Sequence, residues 1–208
     1  MPKRNFSITT QVLISLSIFI FGICLGLFSK FLDYKQAELP AMLSKIDEYL
    51  DLHNFLGGFA PWIVIAVCIS VYSNKPIRAA INTFLFFVGM VSSYYMYSYF
   101  VAGFFPKSYA VIWIVLTLIS PLCAFFCWFA KGNGIVGLLF SSGIISLLIN
   151  TACVYGLFYI HIRSWLNVMM LIFGIIILHV SNKKTINSIA LGIIFAIITY
   201  MVVPFHIW

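Results

Sequence analysis

The sequence predicts an all-α integral membrane protein: a bundle of seven transmembrane helices, with six as the alternative and the N-terminus cytoplasmic. Three observations predict it. The 208-residue chain is 63% hydrophobic and 8% charged, where a soluble domain carries about 25% charged residues. Its apolar runs approach the roughly 20 residues that cross a bilayer core. All five acidic residues, Asp33, Glu38, Asp47, Glu48 and Asp51, fall within residues 33–51, so no carboxylate side chain occurs from Leu52 to Trp208.

The predicted spans cover about residues 12–28, 59–72, 79–100, 109–130, 135–160, 165–180 and 186–203. The second and sixth are short and need their flanks to reach across. The opening Met1–Arg4 and apolar run have no small-x-small cleavage site before Lys30, so the segment reads as a retained first span. Seven spans put Lys3, Arg4, Lys75, Arg78, Lys131, Lys183 and Lys184 on one side with no acid. Lys30, Lys35, Lys45, Lys107 and Arg163 fall on the other, with every acid. The positive-inside rule then places the N-terminus inside and the C-terminus outside. The formal net charge of +7 forms no basic face or helix, which argues against a nucleic-acid partner.

Residues 1–208 read as a single transmembrane helical domain, with 33–57 as its one sizeable loop, extracytoplasmic and holding an amphipathic helix. Pro40 suits a first turn, Leu43, Ile46 and Leu50 recur at helical spacing, and Ser44 with Asp47 forms a candidate capping pair. The helix lies on the membrane surface or serves as a lid over a cavity. A faint repeat sets Ala60-Pro61-Trp62, Cys68 and Asn74 against Ser120-Pro121-Leu122, Cys127 and Asn133, an offset that suggests duplicated helix pairs.

The candidate ligand site is drawn from intramembrane polar groups. The third span carries Ser92, Ser93, Tyr94 and Tyr95, of which the hydroxyls deeper in the membrane face other helices. The fourth holds Ser120 and Pro121. A proline removes a helical hydrogen bond, and the freed carbonyl near residue 117 needs a hydroxyl partner. The fifth holds Asn150 and Thr151, and an asparagine is costly against lipid, so Asn150 faces the interior. Gly22 and Gly26 form a GxxxG docking face, within the bundle or for a partner. Lys30 ends the first span and can snorkel outward. With Lys107 and Arg163, also at the outer face, it balances the acids or attracts anions.

Several chemistries find little support. The five cysteines lie in apolar segments with no CxxC and no zinc spacing to histidine, and no metal or cofactor is expected. Cys123 and Cys127 share a helix face, which packing explains. His53, His161, His179 and His206 form no HxxxH or HExxH pattern. Phe140-Ser-Ser-Gly143 lacks the first glycine of the Gly-x-Ser-Gly of rhomboid-type proteases. Without intramembrane acids, proton-driven antiport loses its usual relay. No P-loop is present.

Gly58-Phe-Ala-Pro-Trp62, the 78–98 segment with its Tyr94-Tyr95-Met-Tyr97-Ser98, Gly103-Phe-Phe-Pro-Lys-Ser-Tyr109 and Ser120-Pro121 carry a resemblance to a family of small bacterial multi-spanning membrane proteins whose role is not established. That resemblance implies a bacterial plasma-membrane location and no activity. The chain's size and single early GxxxG are also similar to substrate-binding subunits of energy-coupling-factor importers, which usually have six spans. The leading expectation is small-molecule transport or substrate capture, with helix contacts exchanging around Pro121. The alternative is a non-catalytic accessory, sensor or immunity protein acting through a membrane partner or energising subunit. The third is an intramembrane or lipid-modifying enzyme, with Cys127 or Cys153 beside His161 or His179.

Overall fold

The computed structural model describes residues 7–35, 38–156 and 159–202. Lys3, Arg4, His206 and the last residue of the expected seventh span, Val203, lie outside them. Nine α-helices, a 3-10 turn and one β-hairpin make up the described residues. Five helical stretches are long and apolar enough to cross a membrane: Ile8–Tyr34 (α1), Pro76–Phe100 (α5), Lys107–Lys131 (α6, Lys107–Cys127, with its 3-10 extension Trp128–Lys131), Ile135–Ala152 (α7) and Asn182–Val202 (α9). The other two expected spans are shorter apolar helices, Ala60–Tyr72 (α4) and Trp165–Leu178 (α8). At 1.5 Å per residue α4 and α8 reach only about 20 Å, against a hydrocarbon core of about 30 Å.

The chain divides into two compact units. The first comprises Met1–Gly57 and Tyr72–Phe125. Its frame is the pairing of α1 with α5. Gly22 and Gly26 on α1 lie against the Phe86 and Met90 carbonyls, and Gly89 on α5 lies against the Phe19 carbonyl. A methyl group at any of the three would overlap backbone, so the small residues set the close approach of the helices. Polar bonds fasten the pair at both ends. The Ser15 hydroxyl lies 2.6 Å from Asn82 Oδ1, and Ser93 Oγ lies 3.0 Å from the Ile23 carbonyl. Ser7 caps α1, accepting the Thr10 N–H.

The loop folds into two helices, Ala41–Leu50 (α2) and Leu52–Gly57 (α3), joined at Asp51, whose φ is 55°. Leu43, Ile46 and Leu50 are half-buried, as an amphipathic helix requires. Ser44 and Asp47 do not form the expected cap: Pro40 is the N-cap and makes no side-chain bond. Asp47 is instead the buried residue of the helix and accepts the His53 N–H and faces His53 Nδ1, each at 2.9 Å. It pins α3 to α2. Just before α2, Lys35 donates to Glu38; that hydrogen bond and the charge attraction hold the Glu38 carboxyl below its ordinary value and the Lys35 ammonium above it.

The second unit comprises Gly58–Val71 and Phe126–Trp208. Helix α7 packs against α8 and α9. Its core joins Val64, Val67 and Val71 of α4 to Ile144, Ile145 and Leu148 of α7 and Leu178 of α8. Gly192 of α9 lies against Ile145 and the Ser142 carbonyl, and Gly174 of α8 against Leu148. Ser188, Gly192 and Ala196 are the buried residues of α9, a small-residue stripe at a spacing of four.

Two expectations need correction here. The fifth span does not run to Ile160: α7 ends at Ala152, and Cys153–Tyr155 (β1) pairs antiparallel with Ile160–Ile162 (β2). Eighteen helical residues already span about 27 Å, so the remaining chain is free to turn back. The β-favouring Cys153-Val-Tyr155 run does so, closed by the Arg163 N–H donating to the Ala152 carbonyl (3.0 Å). The proposed repeat also fails at its strongest point. Pro61 lies in the first turn of α4, where its missing N–H is harmless, whereas Pro121 lies inside α6.

Candidate functional site

Of the eight expected ligand residues, Ser92, Ser93, Tyr94, Tyr95, Ser120 and Pro121 belong to the first unit and Asn150 and Thr151 to the second. No single unit gathers them. Ser92 is exposed, while Ser93 is buried with its hydroxyl on the Ile23 and Met90 carbonyls. Helix α6 runs unbroken through Pro121. The Thr117 carbonyl, which the proline cannot serve, accepts the Ser120 hydroxyl at 2.8 Å. In the second unit Asn150, 2% exposed, donates through Nδ2 to Thr199 Oγ1 at 2.9 Å and accepts the Tyr155 hydroxyl at Oδ1. Thr151 donates to the Leu148 carbonyl and its own carbonyl accepts the Asn167 amide. These groups join helices and the hairpin. Ser141 and Ser142 likewise donate to the Ala130 and Leu138 carbonyls, at 2.7 and 2.8 Å.

The residue that departs furthest from expectation is Lys30. It does not snorkel: it is 2% exposed near the end of α1. Its ammonium pairs with Asp33 one turn on, lies 4.6 Å from the centre of the Phe104 ring and 5.2 Å from that of Tyr94. A buried cation needs such compensation, because desolvating an ammonium costs several kcal/mol. Cation–π contacts in a dry site contribute about 2 kcal/mol. The site is built from three elements. Helix α1 sets Lys30 and Asp33 on one face. Helix α5 brings Tyr94, braced by the Tyr95 ring at 5.1 Å, itself 5.5 Å from Phe105. The segment after α5 brings Phe104. There Gly103 takes a φ of 73°, the left-handed turn that glycine allows. The turn lets the Phe104 N–H donate to the Ser98 carbonyl (3.2 Å) while Ser98 Oγ donates to the Phe104 carbonyl (2.8 Å). This two-bond clasp holds the ring over Lys30.

The sequence picks out Tyr94 and Tyr95 of this centre but does not join them to Lys30, Asp33 and Phe104. The centre's signal was the Lys30-x-x-Asp33 spacing together with Tyr94-Tyr95 and Gly103-Phe-Phe105, which no linear motif connects. Chemically, the site offers a cation, a half-exposed carboxylate and aromatic faces. That combination suits binding of a small polar or zwitterionic molecule. Among the described residues no group of three or more His, Cys, Asp and Glu side chains could hold a metal ion.

A family model matches residues 7–205, nearly the whole chain. The chain belongs to DUF6518, a family of unknown function. No curated protein and no solved structure matches it. Membership therefore fixes kinship and leaves function to be argued from the Lys30 centre.

Proposed function

We propose that the protein is a seven-span protein of the bacterial plasma membrane, N-terminus cytoplasmic, that captures or transports a small molecule at the Lys30 centre. The observation that carries this reading is the burial of Lys30. An ionisable group inside a membrane span is costly, and such groups commonly mark ligand and ion pathways. In this reading α4 and α8 complete the seven spans with their flanking residues. The Lys30 end of α1 and loop 33–57 then face outward, so the Lys30 centre lies at an outer mouth, with α2 and α3 close to it in sequence. Asp33, about half exposed, is the half of the pair that an incoming ligand would meet first.

A second reading is a non-catalytic accessory protein acting through a membrane partner. It is supported by the polar groups of Ser93, Ser120, Asn150 and Thr151, which bond within their own units. The two readings separate in a thermal-stability screen of the full chain in lipid nanodiscs against anionic, zwitterionic and neutral metabolites. Capture predicts that at least one compound raises the melting temperature of wild type and not of Lys30→Met. A screen in which no compound acts, or in which both proteins respond alike, rejects capture at Lys30.

A further inference from the structure

The second unit contains no carboxylate side chain, yet it carries Lys131, Arg163, Lys183 and Lys184. Two of these lysines meet at one cleft. Between the 131–134 turn and the start of α9 lies a cavity of about 270 Å³ whose polar lining is Asn133, Ser181, Lys183, Lys184 and Asn187. Lys184 is fixed there: its ammonium donates to the Ala130 carbonyl at 2.6 Å and to the Gly132 carbonyl at 2.7 Å. Two of its three N–H groups are thereby used. Lys183 is exposed and has no ion-pair or hydrogen-bond partner among the described residues. Both lysines occupy the first turn of α9, where the helix dipole disfavours a cation. No acid in the unit offsets either cost. The cleft therefore presents the Lys183 ammonium, one remaining N–H of Lys184, two side-chain amides and a hydroxyl, and the Lys183 charge is left for an outside anion to balance.

From this lining we infer that the cleft binds a phosphate group. Lys183 supplies the charge, and Asn133, Asn187 and Ser181 supply neutral donors to the remaining oxygens. Leu138 and Val180 form an apolar wall on the same cleft. That wall suits the glycerol and acyl region of an anionic phospholipid, whereas inorganic phosphate would leave it bare. Basic pockets between membrane helices recognise phospholipid headgroups by this chemistry. The inference does not depend on the Lys30 reading, since the two sites lie in different units.

The test uses the full chain in nanodiscs of phosphatidylcholine with and without phosphatidylglycerol, followed by detergent extraction and native mass spectrometry of the retained lipid. Lys183→Gln is the diagnostic variant, because Lys183 is exposed and its side chain makes no hydrogen bond or ion pair among the described residues. Lys107→Gln in the first unit is the control. Wild type and the control are expected to retain phosphatidylglycerol, and Lys183→Gln about fivefold less, the effect of one surface lysine. Binding of radiolabelled inorganic phosphate is measured in parallel on the phosphatidylcholine sample. Phosphate binding that falls in Lys183→Gln, without phosphatidylglycerol retention, supports the cleft with a soluble source. Equal retention of lipid and equal binding of phosphate by Lys183→Gln and wild type overturn the inference.

Discussion

The Lys30–Asp33 pair is lopsided: one side chain is fully buried and the other about half exposed. Removing Lys30 therefore leaves a carboxylate that water can still reach, while removing Asp33 leaves a buried cation with only aromatic faces for company. Asp33→Asn is expected to destabilise the protein by about 2 kcal/mol, below the cost of breaking a fully buried pair. Lys30→Met should cost less. Unfolding of both variants in mixed micelles reads this directly, and an inverted order contradicts the cage. Asn150 carries a different kind of load. Asn150→Ala takes away the acceptor of the Tyr155 hydroxyl and the tie to Thr199, whose own hydroxyl keeps its bond to the Phe195 carbonyl, and should cost about 1–2 kcal/mol, the upper range for hydrogen bonds between membrane helices. The same unfolding assay would contradict the network if Asn150→Ala were neutral.

At the scale of elements, glycine spacing decides which helices can touch. Gly22 and Gly26 have backbone where a Cβ would go, whereas Gly143, inside α7, has open space around it. Gly22→Leu and Gly26→Leu should each separate α1 from α5 and sharply lower the yield of folded protein. Gly143→Ala should instead stabilise by about 0.5–1 kcal/mol, the ordinary helix preference for alanine. Equal behaviour of the three in size-exclusion yield and melting would remove the close-packing account. The docking face at Gly22 and Gly26 was legible because GxxxG is a local pattern. The stripe Ser188, Gly192 and Ala196 has the same spacing and was legible in principle, but its mixed composition hid it. The hairpin was not legible: Cys153–Tyr155 follows the apolar α7 with no break in hydropathy, and only the register with Ile160–Ile162 defines it. Helix length against bilayer thickness was the physical cue.

For the molecule as a whole, composition alone announced a helical membrane protein, because a chain this apolar leaves only lipid as solvent. Side-chain placement was harder to read. Polarity suggested that Ser93, Ser120, Asn150 and Thr151 would line a cavity, yet each satisfies a neighbour in its own unit. A hydroxyl in a helix bonds a carbonyl one turn away as readily as it bonds a ligand. Lys30 was misread for the opposite reason. Snorkelling is the usual course for a lysine near a span end, and only the fold brings Tyr94 and Phe104 together to make burial tolerable. The seven-span arrangement makes its own prediction. Single cysteines placed at Lys131 and Lys183 in a background lacking the native five should react with an impermeant maleimide only after the cytoplasmic side is opened. Cysteines at Lys107 and Arg163 should react in intact cells, and the reverse pattern refutes the orientation.

If Lys30 is buried to meet a ligand, the full chain extracted from its native membrane into nanodiscs retains a small molecule that mass spectrometry identifies, and a well-folded Lys30→Met prepared identically lacks it. The same compounds on both proteins, or none on either, would contradict that role and leave the Lys30–Asp33 pair as a structural contact within α1.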